Sequence, residues 1–79
     1  MTKKEMDMYK SAAKRACKEN GIKVLIKNMV LLETGFDGVM VDYVMFEDLA
    51  TGKQYQCYWG AKHYNPELDT LWAVEQYIA

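Results

Sequence analysis

The sequence predicts an α+β domain of order α-β-β-β-α, a three-stranded antiparallel meander with two helices packed on one face. Three observations carry this. An apolar stripe at helical spacing fills the start of the chain, alternation with a period of two replaces it from Ile22, and NPELD at 65–69 restarts a helix. With 79 residues, 51% of them hydrophobic, residues 1–79 are expected to form a single domain around one core.

TKKE at 2–5 is a capping box, in which the Thr2 side chain accepts from the Glu5 amide. Met6, Tyr9, Ala13, Ala16 and Cys17 then share one helical face, and Asn20-Gly21 supplies a left-handed stop. The first strand follows from Ile22. GFDG reads as a turn, with Asp37-Gly38 suited to a two-residue hairpin, and Val39–Phe46 forms the second strand. In DLATGK, Gly52 takes the left-handed position of a three-residue loop, leading into a third strand over Gln54–Trp59. In NPELD, Asn65 caps, Pro66 takes the first helical position, and Leu68, Leu71, Trp72 and Ile78 face the core.

Those loop lengths fix a register. Val30, Leu32, Val41, Tyr43, Met45, Cys57 and Trp59 are expected to meet the helices. Met29, Leu31, Val44, Phe46 and Tyr58, with Leu25, then form an apolar outer face, a candidate protein-partner surface. Glu33 is expected opposite Asp42 at the end of that face, where the two carboxylates either splay into solvent or receive a partner's cation.

Composition narrows the function classes. The longest apolar runs are four residues, such as MVLL at 29–32, too short to cross a membrane, and no signal-peptide core follows the first lysines. The expected location is the cytoplasm. Cys17 and Cys57 stand 40 positions apart without a CxxC, which suits reduced, packed thiols. Charge is divided along the chain. Residues 1–30 carry eight Lys/Arg against three Asp/Glu, and residues 31–79 carry two against eight.

No chemical motif stands out. In QYQCYWGAKHY at 54–64, Cys57 lies mid-strand while His63 lies beyond the strand's end, too far for a nucleophile and its base. Two distant cysteines and one histidine do not make a zinc site, and no Gly-rich phosphate loop is present. The expectation is therefore no catalytic residue, no metal and no cofactor.

The order of elements resembles that of the double-stranded-RNA-binding domain, in topology alone and over the whole chain. That resemblance implies lysines at the start of the second helix, where this chain has the acidic NPELD. An alternative nucleic-acid surface is the basic side of the first helix, with Lys10, Lys14, Arg15 and Lys18. The leading expectation is a non-enzymatic protein-binding module that occupies a surface on a partner or on a second copy of itself. In type it is similar to phage or mobile-element inhibitors such as anti-CRISPR and anti-restriction proteins.

Overall fold

The computed structural model describes residues 1–36, 38, 41–60, 64 and 66–77. One helix, α1 (Lys3–Glu19), packs on one face of a four-stranded antiparallel sheet made of β1 (Met29–Phe36), β2 (Val41–Asp48), β3 (Lys53–Trp59) and β4 (Trp72–Tyr77). The strands lie side by side in chain order. Among the described residues the fold is mixed α+β, as expected, with four strands in place of three and one α-helix in place of two.

Both ends of α1 form as the sequence indicates. The Thr2 hydroxyl accepts from the Glu5 amide at 3.1 Å and donates to the Glu5 carboxylate at 3.3 Å. At the other end the Ile22 amide donates to Cys17 O at 2.7 Å and the Gly21 amide to Lys18 O at 3.2 Å. With Gly21 at φ +74°, these two bonds make a Schellman cap, which needs the left-handed conformation glycine adopts at least cost. Tyr9, Ala13, Ala16 and Cys17 are buried. Three of them are small, so the helix axis can lie close over the sheet.

The second helix is overturned. Pro66–Asp69 form turns and a strand follows. Asp69 at φ +48° is a left-handed residue, which a helix cannot continue through. The reason lies in pairing. Residues 72–77 also alternate, with Trp72 buried and Val74 packed on the core, so they can complete the edge of β3. Trp72 pairs with Trp59, Val74 with Cys57 and Tyr77 with Gln54. The start of β4 is tied to the end of α1: Asn20 Nδ2 donates to Ala16 O and Trp72 O, and the Thr70 hydroxyl donates to Glu19 at 2.9 Å. Asn65 and Ile78 lie outside the described residues.

The register of β1 and β2 is also corrected. Asp48 pairs with Lys53, so the loop between β2 and β3 has four residues, one more than expected. Asp48 itself builds the longer loop. Its carboxylate accepts from the Ala50 amide at 3.0 Å and the Thr51 hydroxyl at 3.3 Å, and its carbonyl accepts from the Gly52 amide at 2.8 Å. Gly52 does take the left-handed conformation, at φ +74°. The added residue places Val44, and not Met45, opposite Cys57. A one-residue slip turns every β2 side chain over. The turn before β2 is longer too, since the last pair is Phe36 with Val41, not Phe36 with Val39. Asp37, Val39 and Met40 lie outside the described residues.

The core therefore holds Tyr9, Ala13, Ala16, Cys17, Val24, Met29, Val44, Phe46, Cys57 and Trp72, with Leu31, Val41, Tyr55 and Trp59 against it. The inward direction of Cys57 and Trp59 matches expectation, and Tyr55 turns inward with them. Among the described residues, no helix is long and apolar enough to cross a membrane.

Candidate functional site

The corrected register empties most of the expected partner surface into the core. Val44 and Phe46 are fully buried, Met29 is 3% exposed, and Leu31 packs against the same cluster. Tyr58 stays on the outer face, beside Gln56, whose side-chain oxygen accepts from its hydroxyl. Glu33 does not face Asp42; it lies opposite Met45, and Asp42 falls in an irregularity where Gly35 pairs with Tyr43 and Phe36 with Val41.

What α1 leaves uncovered is a different surface. Alternation and pairing place Glu33, Gly35, Tyr43, Met45, Glu47, Gln54, Gln56, Tyr58, Ala73 and Glu75 on the outer side of the sheet. At its centre Tyr43 and Tyr58 are cross-strand partners whose rings stack, with centroids 6.3 Å apart and planes inclined by 27°. The Tyr43 hydroxyl donates to Glu33 Oε1 at 2.8 Å. That bond, strengthened by the negative charges of Glu33 and Asp42, holds the Tyr43 phenol above its ordinary range. Burial raises the Tyr58 phenol first, and the fields of Glu75 and Glu33 add to it. Both tyrosines thus lie in a negative potential set by carboxylates from strands on either side.

The charge division along the chain becomes a division in space. Glu33, Glu47 and Glu75 share the outer face. Among the described residues of the four strands, Lys53 is the only cation, and it pairs with the buried Asp48 on the helix side. The lysines lie behind. Lys14 and Lys18 on the back of α1, with Lys23, line a shallow cleft of about 380 Å³ shared with Gly21, Ile22 and Val24. Lys10 lines another, of about 400 Å³, with Met1, Met6, Met29, Val30 and Leu31. Arg15 departs from this group and pairs with Glu19 at 3.4 Å.

The two cysteines meet in the core. Cys57, at the middle of the sheet, and Cys17 of α1 belong to the same core cluster, and both are fully buried. With the Cys17 thiol as its neighbour and lying out of water, the Cys57 thiol holds its proton far above the usual thiol range. No group of three His, Cys, Asp or Glu side chains able to hold a metal occurs among the described residues. His63 lies outside them.

Sequence reasoning found Tyr58 and Glu33 for this face but missed Tyr43, Met45, Glu47 and Glu75. The signals were present: an Asp at the head of DLATG, able to close a longer loop, and alternation in WAVEQY. Comparison with protein-family models, curated proteins and solved structures finds no match for the chain.

Proposed function

We propose that this protein is a non-enzymatic binding module that acts by occupying a surface on a protein partner, using the outer face of its sheet. The observation that supports this is the Tyr43–Tyr58 stack on a strand face that the helix does not cover. Aromatic and methionine side chains give contact area at little desolvation cost, and residues of this kind concentrate at interfaces. Occupation of this sort is how a phage-type or mobile-element inhibitor would work on a host factor.

The test compares capture from a lysate by wild type, by Tyr58→Ala and by Lys14→Glu/Lys18→Glu. Tyr58→Ala should lose the captured protein while keeping the native fold, and the lysine reversal should retain it. Capture that survives Tyr58→Ala would rule the face out.

A second reading is nucleic-acid binding through the back of α1, favoured by the convergence of Lys14, Lys18 and Lys23 on one cleft. It requires binding to duplex or single-stranded probes that weakens steeply as salt rises and is abolished by the lysine reversal.

A further inference from the structure

We infer that the partner meets this face with arginine side chains, received between the Tyr43–Tyr58 stack and the carboxylates of Glu33 and Glu75; this rests on the outer face being the binding surface. Three observations point to a cation. Glu33, Glu47 and Glu75 all lie on this face, and among the described residues of the four strands no lysine or arginine shares it. Glu33 on β1 and Glu75 on β4 lie on opposite sides of β3, the strand that carries Tyr58. The Tyr43 hydroxyl takes up one oxygen of Glu33, and an ionised carboxylate has about four lone-pair sites, so Glu33 retains capacity for a second donor.

The pairing of flat rings with carboxylates selects among cations. A guanidinium is planar, stacks on an aromatic face and presents a fork of N–H donors to a carboxylate at its edge. A lysine ammonium is a hydrated point charge and gains only one of those contacts at a time. The tilted Tyr43 and Tyr58 rings, with Glu33 bonded to one of them, present both kinds of contact within one patch. A second copy is the poorer occupant. The chain's single arginine, Arg15, is engaged by Glu19, and the rest of its basic side is lysine. The partner is therefore a different protein with an arginine-bearing surface.

The full chain, isotopically labelled, would be titrated with hexa-arginine and with hexa-lysine peptides at physiological salt while backbone amide shifts are followed. Hexa-arginine should bind at least about threefold tighter than hexa-lysine, a preference in the range of one exposed cation–π contact. Shifts should concentrate on the amides of β1 to β4 around Tyr43 and Tyr58. Glu33→Gln/Glu75→Gln should weaken hexa-arginine about tenfold, as expected for two partly screened charge contacts. Asp7→Asn/Glu67→Gln, which removes the same charge elsewhere, should leave it unchanged. Equal binding of the two peptides, or an equal loss in both double variants, would overturn the arginine assignment. Concentration-dependent shifts on the same face without peptide would show a second copy there and overturn it too. Capture that depends on Tyr58 with no arginine preference would discard the partner chemistry alone, whereas Tyr58-independent capture would discard the face.

Discussion

The ring of Tyr43 lies across the backbone of Gly35, its cross-strand partner, so that a β-carbon at residue 35 would overlap the ring edge and approach Asp42 Oδ1 to 2.6 Å. The glycine is there for space. A side chain at 35 would push Tyr43 off Glu33 and off Tyr58, and so dismantle the centre of the outer face.

Gly35→Ala should therefore cost about 1–3 kcal/mol, the usual range for forcing atoms into a filled site. Chemical denaturation measures it. The same change in a Tyr43→Ala background should cost much less, because the obstructing ring is gone. A double-mutant cycle with no coupling would show that the ring does not sit over Gly35.

Phe46 and Tyr58 make a second comparison. Phe46 is fully buried under α1, so Phe46→Ala should cost about 3–5 kcal/mol, and Phe46→Asp should unfold the chain. Total stability for a domain of this kind is roughly 5–15 kcal/mol, so the alanine variant should melt far earlier. Tyr58→Ala should remain folded, with a melting temperature near wild type. Circular dichroism on the two variants separates this register from the expected one, in which Phe46 faced outward.

The contrast between those residues shows what was legible in the sequence and what was not. Helix α1 was readable because its caps are local: Thr2 with Glu5, and Gly21 with the last carbonyls, are decided within six residues. The faces of β3 were readable, since Cys57 and Trp59 alternate with Tyr58 whatever their neighbours do. The faces of β2 were not, because they depend on a single loop residue counted across DLATG. There the Asp48 side chain, bonded to Ala50 and Thr51, decides between two lengths that Gly52 alone permits. The fate of residues 66–77 was still less local. Pro66 with acidic residues after it is a sound helix start, yet the open edge of β3 and the bonds from Asn20 and Thr70 favour a strand. Tertiary pairing won over local propensity.

Asp48 gives a prediction from that loop. It is 5% exposed, and its carboxylate serves an amide and a hydroxyl within the turn. Asp48→Ala should cost about 1–3 kcal/mol by removing the two hydrogen bonds its carboxylate accepts across the turn. Hydrogen exchange should quicken at the β2–β3 turn first. Unchanged exchange there would mean that Gly52 suffices to hold the loop.

The thiols predict a kinetic difference. Both are fully buried, and the Cys57 proton is held by the neighbouring Cys17 and by exclusion of water. Native protein at mildly alkaline pH should resist alkylation at both positions, while denatured protein reacts at the rate of free cysteine. Mass spectrometry of timed samples reads this directly. Rapid modification of either thiol in the native state would contradict the packing of α1 on β3.

Tyr43 carries the pH dependence of the outer face. Its phenol donates to Glu33, so removing the proton loses a hydrogen bond and sets two negative charges together, which raises its folded-state value above that of the unfolded chain. A group raised in this way contributes its stability in full below the unfolded value, about 10, and loses it as pH rises through the folded one. Tyrosinate absorbance of the native protein should therefore lag that of the denatured chain above pH about 10. Glu33→Gln should bring Tyr43 forward most, because an amide oxygen accepts the bond without the charge, and Tyr58, which also feels Glu33, by less. Its stability should also decline less steeply with alkali than that of wild type. Tyr55, Tyr58 and Tyr64 are raised as well, for reasons led by burial in the first two and by the bond to Asp69 in the third, and because Tyr58 also feels Glu33 the difference between variants reports Tyr43 first and Tyr58 second. An unchanged titration in Glu33→Gln would mean that the bond on which the face is organised does not form in solution.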